Sequence, residues 1–167
     1  SCWDELALRF VKAGSASMQA LHSYATSLHM YQRSAQDEAA WYVDINAYTD
    51  YQGWLAELGK NTRLKIHNRR KTIETLGNVK FENRPGKNID YLFKLLNTLH
   101  AGRWNKEVFN GSRLEFNTRL AASLAEKGQL AFSLILLDDE PVSIQYNYCI
   151  NGQVYNIQAG FDEGLDK

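Results

Sequence analysis

The fold is most strongly constrained by residues 130–161, where the spacing of apolar residues changes from a helical period to a period of two. An acidic turn and an Asn-Gly dipeptide separate three segments rich in β-forming residues: 130–139, 142–150 and 153–161. Asn-Gly between alternating segments is the strongest short-range signal for a two-residue β-hairpin. The pattern therefore predicts a three-stranded antiparallel meander in the C-terminal third of the chain.

Two amphipathic helices are predicted immediately before the meander. Leucines recur at the helical period over residues 89–104. Residues 112–128 begin with Ser112 and Glu115 at the spacing of a capping box and end at Gly128, a favoured C-terminal stop. Helices followed by consecutive antiparallel strands are typical of the α+β class.

Shorter elements are predicted in the first half of the chain. Strands are predicted at 39–46 and 78–83, and helices at 4–13, from Ser15 or Ser17 to about Leu28, at 50–59 with Thr49 or Asp50 as N-cap, and at 61–76. We expect a helical lead-in over residues 1–38 and the main domain over residues 39–167. Because the chain begins without Met and stops just after a strand-like segment, we expect it to be part of a longer polypeptide, truncated at the C-terminus of this domain.

The charge balance argues against a partner attracted by the field of the whole protein. Lys+Arg and Asp+Glu both number 19, so the net charge is zero and no DNA binding is expected. Cys2 and Cys149 form neither a disulfide framework nor a metal-ligand spacing, which favours a reducing, cytoplasmic setting and no metal. No apolar run of about 18 residues is present, so no transmembrane segment is expected.

One local segment departs from this balance. GKNTRLKIHNRRK, residues 59–71, carries six positive charges and no acid. On a helical wheel of about 100° per residue, the side chains beside the apolar stripe of Ile66 are those of Arg63, Arg69 and Arg70. Three interpretations remain open: arginine stems at the edge of the core, an anion-binding site in a cleft, or a nucleic-acid footprint.

Four stretches together carry a resemblance to a known family. They are a tryptophan and leucine helix followed by a basic helix (54–82), a helix ending in Arg-Trp (95–104), a helix, strand, acidic turn and strand (113–148), and a tyrosine strand leading to Gly-Phe-Asp (153–163). In this order they resemble the GNAT superfamily of N-acyltransferases, and within it the FemAB-like or CelD-like branch associated with polysaccharide and cell-envelope biosynthesis. The resemblance implies a GNAT-like fold. It also implies transfer of an acyl group from acyl-CoA, either acetyl-CoA or longer, to an amine on a sugar or on another small-molecule or glycan precursor.

The resemblance also implies roles for individual residues. Asp162 is the candidate to take a proton from the acceptor amine, and Gln158 is a second catalytic candidate. The alternative for Asp162 is a turn residue that caps the next element. Cofactor contacts are expected from Ala159, Gly160 and Phe161, and substrate contacts from Arg63, Arg69, Arg70, Arg103, Trp104 and Tyr155. The four histidines are interpreted as structural because none lies at metal-ligand or triad spacing.

Two other functions fit the same resemblance. One is aminoacyl transfer from a charged tRNA, as in the Fem-type enzymes of peptidoglycan synthesis. The other is a non-catalytic GNAT-like module that binds a partner or a glycan. Direct acyl transfer requires no nucleophilic Cys or Ser, in agreement with a sequence in which no such arrangement is found.

Overall fold

The computed structural model describes residues 7–8, 11–12, 14–33 and 41–165 of the 167-residue chain. The chain divides into two compact units, Ser1–Glu57 and Leu58–Lys167. The predicted domain boundary near residue 38 stays a prediction.

The first unit contains short helices. Helix α1 spans Ala16–Ser27, and the hydroxyl of its N-cap Ser15 accepts a backbone N–H at 3.3 Å, which confirms one of the two predicted caps. Helix α2 spans Tyr51–Glu57, and the Asp50 carboxylate accepts a backbone N–H of its first turn at 2.8 Å. Both side chains satisfy N–H groups that the start of a helix leaves without an intrahelical partner.

The predicted strand at 39–46 is wrong over its described residues. Residues 41–44 have no regular structure, and Ile45–Ala47 form a 3-10 helix. The Asp44 carboxylate accepts the N–H of Asn46 at 3.1 Å. This local hydrogen bond favours a turn over the extended strand that the β-forming residues suggested.

The predicted helix at 4–13 is wrong where it can be compared. Residues 7–8 and 11–12 are not helical, and the rest of this segment lies outside the described residues. Leu8 and Val11 are 51% and 37% exposed. The apolar spacing therefore has no packing surface there, and a helix this short is stable only when its apolar face is packed.

The described part of the second unit contains three α-helices and four strands. In chain order these are α3 (Lys60–Leu76), β1 (Val79–Arg84), α4 (Ile89–Trp104), α5 (Gly111–Glu126), β2 (Leu130–Leu137), β3 (Glu140–Ile150) and β4 (Gln153–Phe161), followed by a 3-10 helix at Glu163–Leu165. The predicted helices at 61–76 and 89–104 and the predicted strand at 78–83 are confirmed.

The four strands form one antiparallel sheet in the order β1-β2-β3-β4, which confirms the predicted meander and adds β1 at one edge. Both hairpins turn through two residues of positive φ: Asp138 (50°) and Asp139 (71°), then Asn151 (52°) and Gly152 (72°). Positive φ at both positions marks a type I′ turn, whose twist matches that of the strands. The result is the predicted α+β architecture.

Helices α4 and α5 pack on one face of the sheet, and the core lies between them and the strands. Alternate residues of β2 are buried there: Leu130, Phe132, Leu134 and Leu136. They meet Leu92, Phe93 and Leu96 of α4 and Ala121 and Leu124 of α5. Tyr146 of β3 is fully buried, stacks on Phe132 with ring centroids 5.0 Å apart and meets Phe93 edge-on at 5.0 Å. Each large side chain buried here contributes about 1.5–3 kcal/mol, so this cluster fixes α4 on the sheet.

The opposite face of the sheet carries a polar ladder that crosses all four strands. The Ser133 hydroxyl donates to Oδ1 of Asn83 at 2.7 Å. Nδ2 of Asn147 donates to the Ser133 hydroxyl at 3.3 Å, and Nδ2 of Asn156 donates to Oδ1 of Asn147 at 2.9 Å. Ser133 and Asn147 each directly follow a core residue in the chain, so their side chains point away from the helices.

Helix α5 begins earlier than predicted. Its N-cap is Asn110 in an extended conformation, so Ser112 lies inside the first turn and the predicted Ser112–Glu115 capping box is wrong. Glu115 instead accepts a hydrogen bond from Arg119 one turn later, at 2.6 Å. The predicted stop is confirmed: Gly128 has φ of 65°, and its N–H and the next one bond back to the last turn at 3.0 and 2.8 Å, as in a Schellman motif.

Candidate active site

Helix α4 lies directly against the backbone of β4 at Gly160. A Cβ added to Gly160 would lie 3.0 Å from the backbone nitrogen of His100, 3.0 Å from Cβ of Leu99 and 3.1 Å from the carbonyl oxygen of Leu96. No side chain fits between helix and strand without moving one of them. Glycine at this position therefore lets the C-terminal half of α4 reach the end of β4.

A small cavity of about 20 Å³ opens beside this contact. Its lining residues come from the two elements that meet there: Leu99, His100, Arg103 and Trp104 of α4, and Ala159, Gly160 and Phe161 of β4. We call this group of residues the α4–β4 pocket. It brings together five of the residues predicted as substrate-binding or cofactor-binding, from positions more than 50 apart in the chain.

Arg103 is held in the pocket by two aromatic rings and one acid. Its guanidinium carbon lies 4.8 Å from the ring centroids of both Trp104 and Phe161. Its Nε lies 3.4 Å from Oε1 of Glu163, and these side chains are 41% and 52% exposed. An ion pair this open to water contributes little, so the rings set the position of the guanidinium more firmly than the acid does.

His100 lies on the same face of α4, three and four residues before Arg103 and Trp104. Nδ1 of His100 is 2.7 Å from the carbonyl oxygen of Lys106. A carbonyl only accepts, so Nδ1–H donates this hydrogen bond, and in the neutral form of the ring the lone pair lies on Nε2. His100 was predicted to be structural, like the other three histidines. The i, i+3 and i+4 spacing to Arg103 and Trp104 was the signal that marks it as a pocket residue.

Asp162 directly follows β4, as predicted, and occupies a turn. Its Oδ1 accepts the N–H of Gly164 at 2.8 Å, and its own N–H donates to the carbonyl of Val142 at 2.9 Å. The capping geometry of the alternative interpretation is therefore present. Gln158 pairs across the sheet with Tyr146, and its Oε1 lies 3.2 Å from the N–H of Ala159. The catalytic roles of Asp162 and Gln158 stay predictions.

Tyr155 lies apart from the α4–β4 pocket. It pairs with Tyr148 near the hairpin end of β4, and its hydroxyl hydrogen-bonds the side chain of Gln153. Four residues of strand lie between Tyr155 and Gly160, which places them on the order of 15 Å apart. Only a ligand that extends along β4 would contact both positions.

A β-bulge interrupts β4 between these positions. Tyr146 pairs with Gln158 and Asn147 with Asn156, so Ile157 is an extra residue with no partner on β3. A bulge disrupts the ladder locally and is common beside active sites. Within the described residues, no strand pairs with the outer edge of β4.

The predicted arginines of α3 do not line the α4–β4 pocket. None of the side chains of α3 is buried, and Ile66, taken as the centre of its apolar stripe, is only partly buried. Nη1 of Arg63 donates to the carbonyl of Leu58 at 2.8 Å, and Nε of Arg70 pairs with Glu74 at 2.8 Å. The substrate-binding role of Arg63, Arg69 and Arg70 stays a prediction.

The residues that the structure describes contain no group of metal ligands and no membrane-spanning helix. Their His, Cys, Asp and Glu side chains form no cluster of three or more able to hold a metal ion. Among the described helices, none combines the length with the apolar content that crossing a lipid bilayer demands. Cys149 is a free thiol, and Cys2 lies outside the described residues.

The antiparallel sheet and the helix pair on one face define an α+β domain with a pocket at the end of β4. Residues 60–167, which are 108 of the 167 residues, match the family model described as acetyltransferase (GNAT) domain. The chain therefore belongs to the GNAT acetyltransferase domain family. No curated protein matches the chain.

Family membership supports acyl transfer as the general chemistry of this domain. GNAT acetyltransferases use acyl-CoA and act on small-molecule acceptors in general. The sequence-based assignments to the GNAT superfamily and to a GNAT-like α+β fold are confirmed.

Proposed function

We propose that this protein transfers an acyl group from acyl-CoA to an amine on a sugar or on a precursor of cell-envelope polysaccharide. The observation that carries the proposal is the α4–β4 pocket at the end of a bulged edge strand, in a domain of the GNAT family. The choice of a sugar or envelope acceptor rests on the resemblance of 54–82 and 95–104 to the FemAB-like or CelD-like branch.

The residues along β4 fit an extended thioester substrate. An amide-containing chain adds to an open strand edge through main-chain hydrogen bonds, and β4 offers such an edge. Ala159 and Gly160 place little or no side chain in the way. Acyl-CoA supplies the activated carbonyl carbon, and backbone N–H groups near the bulge at Ile157 are placed to stabilise negative charge on the carbonyl oxygen.

The size of the α4–β4 pocket favours a short acyl group. Its volume of about 20 Å³ has room for about one water molecule. Trp104 and Phe161 give it apolar walls on both sides of Arg103. We therefore expect acetyl-CoA to be a better donor than acyl-CoA with a long chain.

Arg103 is the proposed contact for an anionic part of one substrate. Its guanidinium is held by two rings, and its one acidic partner, Glu163, is more than half exposed. A carboxylate or phosphate displaces such a partner readily, because guanidinium binds these groups through paired hydrogen bonds. Arg63, Arg69 and Arg70 are proposed as a second anion-binding surface, since all three are exposed on α3.

Proton removal from the acceptor amine is the remaining requirement of the chemistry. Asp162 and Gln158 are the sequence-based candidates, and both remain predictions. One oxygen of Asp162 is engaged by the N–H of Gly164, which leaves Oδ2 as the oxygen available to a substrate.

The test begins with binding. Thermal unfolding of the full chain is measured with acetyl-CoA, with a long-chain acyl-CoA and with no ligand. At a ligand concentration 100 times the Kd, binding adds about 2.7 kcal/mol, which corresponds to a rise in Tm of roughly 5–10 °C for a chain of this size. No shift with any acyl-CoA would refute the proposal.

Turnover separates the alternatives. Release of the CoA thiol is followed with a thiol reagent in the presence of glucosamine, with N-acetylglucosamine as the matched acceptor that has no free amine. Release of the CoA thiol with glucosamine as acceptor, but not with N-acetylglucosamine, supports the proposal. Transfer from a charged tRNA without any acyl-CoA effect supports the Fem-type alternative, and glycan binding with neither activity supports the non-catalytic module.

A further inference from the structure

His100 has a position in the α4–β4 pocket that the proposed function does not use. It lies on α4 between Leu99, which touches the backbone of β4, and Arg103, whose guanidinium lies over Phe161. Its side chain is partly buried. An imidazole in this position lies beside Gly160, three residues from the bulge at Ile157 near which the carbonyl oxygen of the thioester is proposed to bind.

The orientation of His100 is set by a hydrogen bond to the loop between α4 and α5, and that loop is anchored in the core. Lys106, whose carbonyl oxygen takes the Nδ1 proton at 2.7 Å, belongs to the loop between α4 and α5. Asn97 clamps that loop through two hydrogen bonds with the backbone of Phe109. Nδ2 of Asn97 donates to the Phe109 carbonyl at 2.7 Å, and the Phe109 N–H donates to Oδ1 of Asn97 at 3.0 Å. Asn97 and Phe109 are 7% and 6% exposed, so the clamp is part of the core.

This support leaves Nε2 as the basic atom of the ring. In the part of the chain that the structure describes, no hydrogen bond is recorded at Nε2. A ring held by Nδ1–H on a carbonyl, with its second nitrogen unprotonated, has the tautomer of a general base. The third group that orients the base is here a backbone carbonyl.

We propose that His100 is the general base that removes the proton from the acceptor amine. Nε2 takes one proton from the ammonium form of the acceptor and later releases it to solvent. The nitrogen lone pair then forms the C–N bond as the C–S bond breaks, and the departing thiolate takes the second N–H proton. This inference rests on the proposed acyl transfer and assigns proton removal to His100 rather than to Asp162.

The chemistry of the two side chains favours this assignment. Imidazole has an ordinary pKa of about 6.5 and carboxylates of aspartate about 3.9, so imidazole is the stronger base near neutral pH. The charged groups on the elements around His100 include Asp90, Lys94 and Arg103 on α4, Lys106 and Glu107 in the following loop, and Asp162 and Glu163 after β4.

The first arm of the test is kinetic and uses His100→Asn with Asp162→Asn as its counterpart. The Asn amide retains a donor for the Lys106 carbonyl but has no basic nitrogen. With acetyl-CoA and glucosamine, His100→Asn is expected to lower kcat by about 10²–10⁴-fold, with the KM for acetyl-CoA within about twofold. Its residual rate is expected to rise with pH as the free amine becomes more abundant. A larger kcat loss in Asp162→Asn than in His100→Asn overturns the proposal.

The second arm does not depend on activity. Diethylpyrocarbonate acylates unprotonated imidazole nitrogen, and peptide mass spectrometry locates each adduct. His100 is expected to react in the free protein and to be protected by acetyl-CoA, whereas His22, His29 and His67 react equally with and without it. Absence of protection at His100 overturns the proposal.

The two proposals fail in distinguishable ways. If His100→Asn retains both the thermal shift with acetyl-CoA and the wild-type kcat, only the proposed role of His100 is wrong. If the wild-type chain shows no shift, the proposed acyl transfer fails and the role of His100 fails with it. If His100→Asn does not fold, His100→Gln replaces it in the kinetic arm, and the labelling arm on the wild-type chain still decides.

Discussion

Replacing Gly160 with alanine is expected to destabilise the domain by overpacking the contact between α4 and β4. The added Cβ would lie 3.0 Å from the backbone nitrogen of His100 and 3.1 Å from the carbonyl oxygen of Leu96. Ordinary contacts of a Cβ begin at 3.4 Å, so the helix and strand must separate by a few tenths of an ångström. Both atoms belong to the backbone, so no side-chain rotation relieves the clash.

The magnitude follows from two opposing terms. Overpacking a well-packed contact costs about 1–3 kcal/mol. Alanine has less conformational freedom than glycine in the unfolded chain, and this stabilises the folded state by about 0.4–1 kcal/mol. We therefore expect Gly160→Ala to lower the free energy of unfolding by about 1–2 kcal/mol.

Gly102→Ala is the matched control, because Gly102 lies on α4, the helix that contacts Gly160. No atom lies within 4 Å of a Cβ added to Gly102, so the substitution meets open space. Alanine is favoured over glycine inside a helix by about 0.5–1 kcal/mol, so this variant is expected to be more stable than wild type. The same Gly→Ala change, made once in α4 and once in β4, should therefore act in opposite directions.

The assay is urea unfolding followed by far-UV circular dichroism. With an m-value of about 2 kcal/mol/M, the midpoint is expected to fall by roughly 0.5–1 M for Gly160→Ala and to rise by roughly 0.3–0.5 M for Gly102→Ala. A Gly160→Ala midpoint equal to or above that of wild type would show that α4 does not lie on the backbone of β4. The geometry of the α4–β4 pocket would then be wrong.

Three further predictions follow from charges and turns. Arg103→Ala is expected to raise the KM of the anionic substrate by about 10–100-fold, since a hydrogen bond to a charged group contributes about 1.5–3 kcal/mol; Arg119→Ala, in an exposed pair on α5, should leave both KM values unchanged. Asp139→Gly is expected to raise the free energy of unfolding by about 0.5–1 kcal/mol in urea titrations. The change relieves a positive φ in a type I′ turn and removes only the exposed pair with Lys80. Burial raises the pKa of the Tyr146 hydroxyl well above its usual range, so above about pH 10 the unfolded state loses a proton that the folded state keeps. Stability should therefore fall by up to about 1.4 kcal/mol per pH unit, and Tyr146→Phe should flatten this slope in urea titrations at pH 9 and pH 11.

Each of these predictions has a contradicting result. Equal KM values in Arg103→Ala and Arg119→Ala would remove the substrate role of Arg103. A lower urea midpoint in Asp139→Gly would mean that the ion pair to Lys80 outweighs the turn strain. Identical alkaline slopes in wild type and Tyr146→Phe would show that the hydroxyl is not shielded from water.

The meander was predictable because its signals are local. Asn151-Gly152 specifies its turn within two residues, and the alternating segments on either side set the strands. Pairing of β1 with β2 was not predictable, because it joins Asn83 to Ser133 across 50 residues that include two helices. The strand predicted at 39–46 is wrong because residues of high β propensity form a strand only where a partner strand is present.

The candidate site was predicted in its residues but not in its arrangement. Arg103, Trp104 and the stretch 159–161 were each assigned to binding, and the structure brings them into one pocket. They meet because Gly160 has no side chain, so α4 can lie directly against β4. A single sequence does not distinguish this glycine from any other glycine in a strand. His100 was missed because its spacing to Arg103 and Trp104 was the only sequence signal, and the carbonyl that orients its ring belongs to the backbone, which residue identity does not reveal.

The polar ladder on the open face of the sheet has a consequence for folding errors. A slip of one residue in β2 moves the Ser133 hydroxyl to the core face and brings buried residues such as Phe132 and Leu134 to the opposite face. The misaligned sheet would then contain an unsatisfied polar group on one face and a gap in the chain of hydrogen bonds on the other. The hydrogen bonds of the ladder form only when all four strands are aligned as observed, because they join Asn83, Ser133, Asn147 and Asn156. They therefore disfavour misregistered hairpins even before the helices pack on the sheet.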